Sequence, residues 1–435
     1  MVFPYMVTVE QVMDLPRIGN VRAAVLNELA GLQIRRLIRP GMRIAVTAGS
    51  RGITDIVSVL AAVIEQCKVL GADPFIVPAM GSHGGATARG QLAVLRGLGI
   101  TEETMDCPVV SSLEVVQIAT TEQGIPVLID KAARSADGIV IVNRIKRHEE
   151  FGGGMGSGLM KMMAIGLGKY EGAVLLHRHA VQLGLATVIT SVARAVMKRA
   201  PVLFGLGIVE NARGETVHVT ASEPGQLEET ERSLFLKAER WIARLPVDQL
   251  DVLIVDELGK EISGTGMDAH TVGRLDVLRQ PKPESPAISR IVVRDLTDAT
   301  HGNAAGVGFA DYVTRRLSDR IDLRVTYLNC MACMTPEEAR MPIVADTDRQ
   351  AIRWALETSG VADTRDARVM RIKNTALLER LSVSRAVLAE MQSLPHLKVH
   401  GRLKEMAFTH SGTLVDTVVD CERDRTDPPR SRQRP

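Results

Sequence analysis

The sequence predicts an α/β protein of two domains, each a mostly parallel sheet flanked by helices, with the active site in the cleft between them. Three observations carry this expectation. Short β-rich runs alternate with longer helical patterns, as βαβ units require. A polar stretch, SEPGQLEETERS at 222–233, interrupts the alternation before it resumes. Finally, 435 residues exceed the size at which one hydrophobic core keeps growing. Divided at the interruption, the chain reads as a unit at 1–225, a linking helix at 226–248, a second α/β unit at 249–422 and a disordered tail at 423–435. The tail is rich in Pro, Arg and Asp and has almost nothing apolar to bury.

In the first half, RIAVTA at 43–48, FIVPA at 75–79, GIVIVN at 138–143 and LFGLGIVE at 203–210 read as strands. ITDIVSVLAAVIEQCKVLG, between the first two, reads as a helix. In the second half, DVLIVDELG at 251–259, RIVVRDL at 290–296 and LRVTYLN at 323–329 read as strands. A net charge of +2, with acids and bases interspersed, offers no basic stripe for nucleic acid, so a small molecule is the expected ligand. No apolar run nears the roughly 20 residues of a membrane span, and the first residues lack a basic segment followed by an apolar one. A cytoplasmic protein is expected, with a homo-oligomer left open. The five cysteines make no disulfide framework, and the pair Cys330 and Cys333 has no second pair or nearby histidine to complete a zinc site.

In an open parallel sheet, ligands bind beyond the carboxyl ends of the strands, so residues just after strand signals are the first candidates. After RIAVTA come Ser50 and Arg51, whose guanidinium suits a bidentate grip on a carboxylate. As a surface residue, Arg51 would sit poorly at a helix start, which prefers negative charge. After FIVPA, His83 follows Gly81 and Ser82 in a glycine-rich turn, where bare backbone lets a substrate approach an imidazole that titrates near neutrality. After GIVIVN, a charged loop brings His148 to the mouth of FGGGMGSGLMKMMAIGLGK at 151–169.

That stretch holds seven glycines around Lys161, yet it has neither the P-loop spacing nor a dinucleotide G-x-G-x-x-G. What remains is a bare loop, including Gly158, that leads into an apolar helix. A lysine in its first turns is either a nucleophilic amine whose pKa burial depresses or a side chain snorkelling from a core helix. Sixteen residues later comes LLHRHAV, with His177 and His179, which point apart on a helix, and one imidazole alone is an incomplete metal site. In the second half, DELGKEISGTGMDAH and DLTDATHGNAAGVGFAD follow strands. Lys260, Ser263, Thr265, Asp268, Thr300, His301 and Asn303 are candidates for the far wall of the cleft, or else for turns and caps.

The ordered set Arg51, His83, His148, Lys161 and His177 resembles the LarA-like family of nickel-pincer-nucleotide-dependent lactate racemases, isomerases that invert stereocentres of 2-hydroxy acids. The resemblance implies a nickel pincer nucleotide joined to Lys161 through a thioamide, with His177 as the protein's nickel ligand. Such a soft, planar donor set suits nickel. It also implies His83 and His148 as acid and base on opposite substrate faces, with Arg51 and Ser50 binding the substrate carboxylate. Gly81, Ser82, Gly158, Lys260 and Thr265 would cradle the cofactor. The implied reaction is reversible hydride transfer from the α-carbon to the cofactor while a histidine takes the hydroxyl proton. A racemase or epimerase of a 2-hydroxy acid or sugar acid is therefore the expectation. The alternatives are a non-inverting oxidoreductase, a metal-assisted hydrolase, or a non-catalytic metal or cofactor binder. The interval from His148 to Lys161 is three residues longer than usual for the racemase, and the second-half motifs do not match recognisably.

Overall fold

The computed structural model describes residues 2–50, 52–147, 156–275, 284–392, 394 and 396–415. Arg51, His148, the first five residues of the glycine stretch (151–155) and the 423–435 tail lie outside the described residues.

Two sheets organise the chain. The strands of its first half are β1 (Tyr5–Gln11), β2 (Arg43–Ala48), β3 (Asp73–Pro78), β4 (Val115–Thr120), β5 (Pro126–Asp130), β6 (Gly138–Arg144), β7 (Val202–Glu210) and β8 (Thr216–Ser222). The second half adds β9 (Gln249–Leu258), β10 (Ala287–Leu296), β11 (Tyr312–Thr314), β12 (Ile343–Ala345), β13 (Val369–Asn374), β14 (Leu377–Ser384) and β15 (Leu397–Glu405). The first sheet runs β3-β2-β6-β7-β8, parallel up to the antiparallel β7–β8 edge. The second runs β12-β11-β10-β9-β13-β14-β1-β15, parallel from β12 to β13 and antiparallel beyond. β4 and β5 form a separate antiparallel ribbon.

The first sheet is covered on both faces, which explains its continuous apolar strands. Successive residues point to opposite faces. In β6, Ile139 and Ile141 therefore join a core with Leu176, Val188 and Val192 from the helices Lys169–Leu183 and Leu185–Arg199. Val140 and Val142 join the opposite core, with Val25, Leu29, Val59 and Leu60 from the helices Val21–Gly31 and Ile56–Val69.

The four first-half strands and the helix Ile56–Val69 fall where the sequence pattern places them, and the helix Leu227–Ala238 begins within the polar interruption and runs past it. Two features differ. LRVTYLN is not a strand: Leu323–Ala332 is a helix. Its β-branched residues mislead, whereas Asp322 caps it by accepting from the Val325 N–H at 3.0 Å, and the buried residues Thr326 and Cys330 stand four apart, the helical interval. In addition, β1 pairs with β14 and β15, burying Val7 and Val9 in the second-half core. The first strand thus belongs to the sheet otherwise built from β9–β15. Among the described residues, no helix is long and apolar enough to cross a membrane.

Candidate active site

The chain steps from β2 outward to β3 and later returns to β2's other side as β6, so the order of the first sheet reverses between β2 and β6. The carboxyl ends at such a reversal diverge into a crevice, the usual ligand site of open α/β sheets. Ser50 lies just past β2 and His83 past β3, while Asn143 and Arg144 end β6.

Across these ends lies the Lys161 segment: a single helical turn, Leu159–Lys161, and then a π-helical turn, Met162–Gly166. π turns are rare and concentrate at functional sites. The loop before His83 closes directly onto this turn, with the Gly81 N–H donating to the Gly166 carbonyl at 3.3 Å. Gly81 has φ +56, and a Cβ on Gly166 would stand 2.7 Å from the Ala79 carbonyl oxygen. Side chains are excluded at Gly166 by contact and disfavoured at Gly81 by conformation.

Ser50 and His83 are partners: Oγ and Nδ1 are 2.5 Å apart, and both residues are half-buried. When Nδ1–H donates to the serine oxygen, the basic lone pair of the ring lies on Nε2. The bond orients the imidazole, a role for Ser50 that sequence alone did not reveal, because it spans two strand ends. Ser82 is half-buried in the same loop.

His177 lies on the helix Lys169–Leu183. Burial, reinforced by the positive charge of Lys161, pushes its pKa down to about 4. The imidazole is therefore neutral at physiological pH, the form that ligates metals. Among the described residues, no group of three or more His, Cys, Asp or Glu side chains could hold a metal ion.

Two buried charged groups bracket the Lys161 segment, and neither drew notice as functional from the sequence. At its end, Lys169 has φ +55, is fully buried, and pairs at 2.9 Å with Asp130, also fully buried. Its ammonium also donates to the carbonyl of Pro78, the last residue of β3. Burial pulls the Lys169 pKa down, and Asp130 opposes the shift. At the segment's start, the Glu231 carboxylate accepts the Met160 N–H at 2.8 Å. Burial pushes the Glu231 carboxyl up to about 7, against the pull of N–H bonds from Met160 and Leu159.

The raised Glu231 pKa sets a sign. The folded protein holds this proton more tightly than the unfolded chain, so the contribution is fully present below about 4.5 and is lost as pH rises through about 7. Wild type should lose roughly 3 kcal/mol of stability over that window relative to Glu231→Gln. Urea unfolding of both proteins at several pH values checks this, and parallel curves would contradict it.

Facing the first sheet's crevice is a wall from the second half. The second sheet reverses its order between β9 and β13. Lys260 and Ser263 follow β9, and Thr375 and Ala376 follow β13. All four line a cavity of about 910 Å³ that Ser50, Arg144, Lys146 and Arg147 bound on the other side. Its lining does not include His83, Lys161 or His177. Lys260 donates to the Gly264 carbonyl through Nζ and from its own N–H to Thr300 Oγ1 at 3.2 Å. Thr265 is buried, its hydroxyl donating to the Met267 carbonyl at 2.6 Å. Gly158 faces the Glu231 carboxyl, whose carbon would stand 2.4 Å from an added Cβ.

Residues 10–186 match the lactate racemase N-terminal domain family. No curated protein matches the chain. Among solved structures, the lactate racemase apoprotein from Thermoanaerobacterium thermosaccharolyticum is similar with a TM-score of 0.52, over 86% of this chain and 99% of that one. At 15% identity this is a likeness of fold. Residues 10–186 thus carry the signature of a lactate racemase N-terminal domain, and the chain as a whole shares the fold of that apoprotein.

Proposed function

We propose that the chain is a racemase or epimerase of a 2-hydroxy acid or sugar acid that works with a nickel pincer nucleotide attached at Lys161. The observation that supports this reading is the packing of the Lys161 segment against the loop that presents His83, with His177 on the helix that follows. One imidazole beside an amine is too few donors for a metal site by itself. It fits a metal that arrives with its own carbon and sulfur donors and is fastened through a lysine. When bound, such a group supplies reversible hydride acceptance.

The chain's own residues do the rest. His83 takes the substrate hydroxyl proton at Nε2 while Ser50 holds the ring by Nδ1. Arg51 clamps the carboxylate, and His148 serves the opposite face; both assignments come from the family resemblance. Gly81, Ser82 and Lys260 form the walls around the cofactor. Gly158 and Thr265 act behind those walls, since the bare face of one and the hydroxyl of the other are engaged within the fold. Two opposed bases suit inversion, whereas net oxidation needs one.

Chiral analysis of a panel of 2-hydroxy and sugar acids, with protein co-produced with the cofactor-making enzymes, tests the reading. Inversion of at least one member is expected. No inversion of any member overturns it in favour of non-inverting redox chemistry, metal-assisted hydrolysis or simple binding. Within an active protein, Ser50→Ala should lower kcat about tenfold, the worth of one orienting hydrogen bond, with KM little changed. An unchanged kcat would mean that Ser50 does not orient His83.

A further inference from the structure

We propose that Glu231 is the positioning residue of Lys161, capping from another helix the turn that presents it. The turn Leu159–Lys161 begins at Gly158, which has no side chain to satisfy the first N–H groups. A single turn is too short to hold itself. Glu231, 2% exposed, provides the missing acceptor at Met160 N–H. Gly158 must be glycine for the carboxyl to come so close. From the other side, Asn143 at the end of β6 donates to the Gly158 carbonyl at 2.8 Å, so the turn is held between a strand end and the Glu231 helix. That helix is itself seated tightly: Cβ atoms on Gly205 and Gly207 of β7 would stand 2.4 Å from Leu227 and 2.7 Å from Leu234.

Burying a carboxyl here costs free energy that an apolar residue would not, and the Glu231 Oε1 atom has no hydrogen-bond partner among the described residues. The core therefore has no packing reason to prefer glutamate, whereas the turn does. The charged group that acts on Glu231 is Glu228, itself bound by Arg194. The elements packed on the Glu231 helix also carry Lys161, Glu210 and His218, the last two partnered by Arg144 and Lys237.

The inference rests on the reading of Lys161 as the reactive amine, and its test uses the apoprotein so that the two fail separately. Hydrogen exchange resolves the Met160 amide, and acetic anhydride labelling compares Lys161 with the exposed Lys398 in the same molecule. Glu231→Ala and Gly158→Ala should each raise Met160 exchange about tenfold, the scale of a lost cap, and raise the Lys161:Lys398 labelling ratio several-fold. Together they should do little more than either alone, because each removes the same contact. Glu231→Gln, which keeps an acceptor oxygen, should restore most of the protection. It should also remove any pH dependence of Met160 protection that wild type shows between about 4.5 and about 7. Unchanged labelling and exchange in folded Glu231→Ala and Gly158→Ala proteins overturn the inference. Should those variants fail to fold, a wild-type pH profile in Glu231→Gln overturns it. Absence of an adduct on cofactor-exposed wild type bears on the functional reading alone.

Discussion

Replacing His83 with glutamine should lower the rate of inversion about 10²–10⁴-fold, the range supplied by a positioned general acid or base. Glutamine can keep a hydrogen bond to Ser50 but cannot take a proton, so the loss isolates proton transfer from packing. Its ring-bearing loop is anchored by backbone, through the Gly81 N–H to Gly166, and the substitution should leave the Lys161 segment in place. Nickel content and adduct mass should therefore match wild type. The measurement is steady-state inversion alongside metal analysis and intact mass. A fall in nickel content matching the fall in rate would mean that His83 holds the metal group rather than moves a proton.

Lys169→Met should destabilise the fold by about 3–5 kcal/mol, because it leaves Asp130 as an uncompensated buried charge. The cost arises at a junction. Lys169 joins the end of the π turn to β3 through Pro78 and to β5 through Asp130, so its loss loosens the frame around His83 and Lys161 together. Adding Asp130→Asn removes the orphaned charge while keeping an oxygen for the Ala133 N–H, which Asp130 accepts at 2.7 Å. The double variant should recover much of the loss. Chemical denaturation of the single and double variants measures both, and additive losses would contradict the pairing.

How much of this was legible in the sequence differs between elements for physical reasons. Strands β2, β3, β6 and β7 are buried on both faces, so each is a continuous apolar run that needs no tertiary information to recognise. Lys161 and His177 are paired by the family resemblance and not by their spacing, since one imidazole sixteen residues from a lysine is no metal site by itself. The Ser50–His83 bond joins the ends of neighbouring strands, which no local pattern encodes. LRVTYLN misled because its β-branched content was weighed above the cap at Asp322.

Glu231 was hidden inside the polar stretch taken for a boundary. The signal was present: Leu227, Glu231, Leu234, Phe235 and Ala238 share the buried face of one helix, and a carboxylate at an apolar position of such a stripe is the anomaly to notice. Nothing in the sequence around Lys169 marks it. Its left-handed backbone and its partner Asp130, far away in sequence, emerge only in the fold.

The central claim, that Lys161 carries the cofactor, is tested most directly by intact mass. Wild type and Lys161→Ala are produced with the cofactor-making enzymes and weighed without denaturing workup. The account predicts a nucleotide-sized adduct on wild type, mapped by peptide mass to Lys161, and none on Lys161→Ala. An adduct of the same mass on Lys161→Ala, or none on wild type, would contradict it.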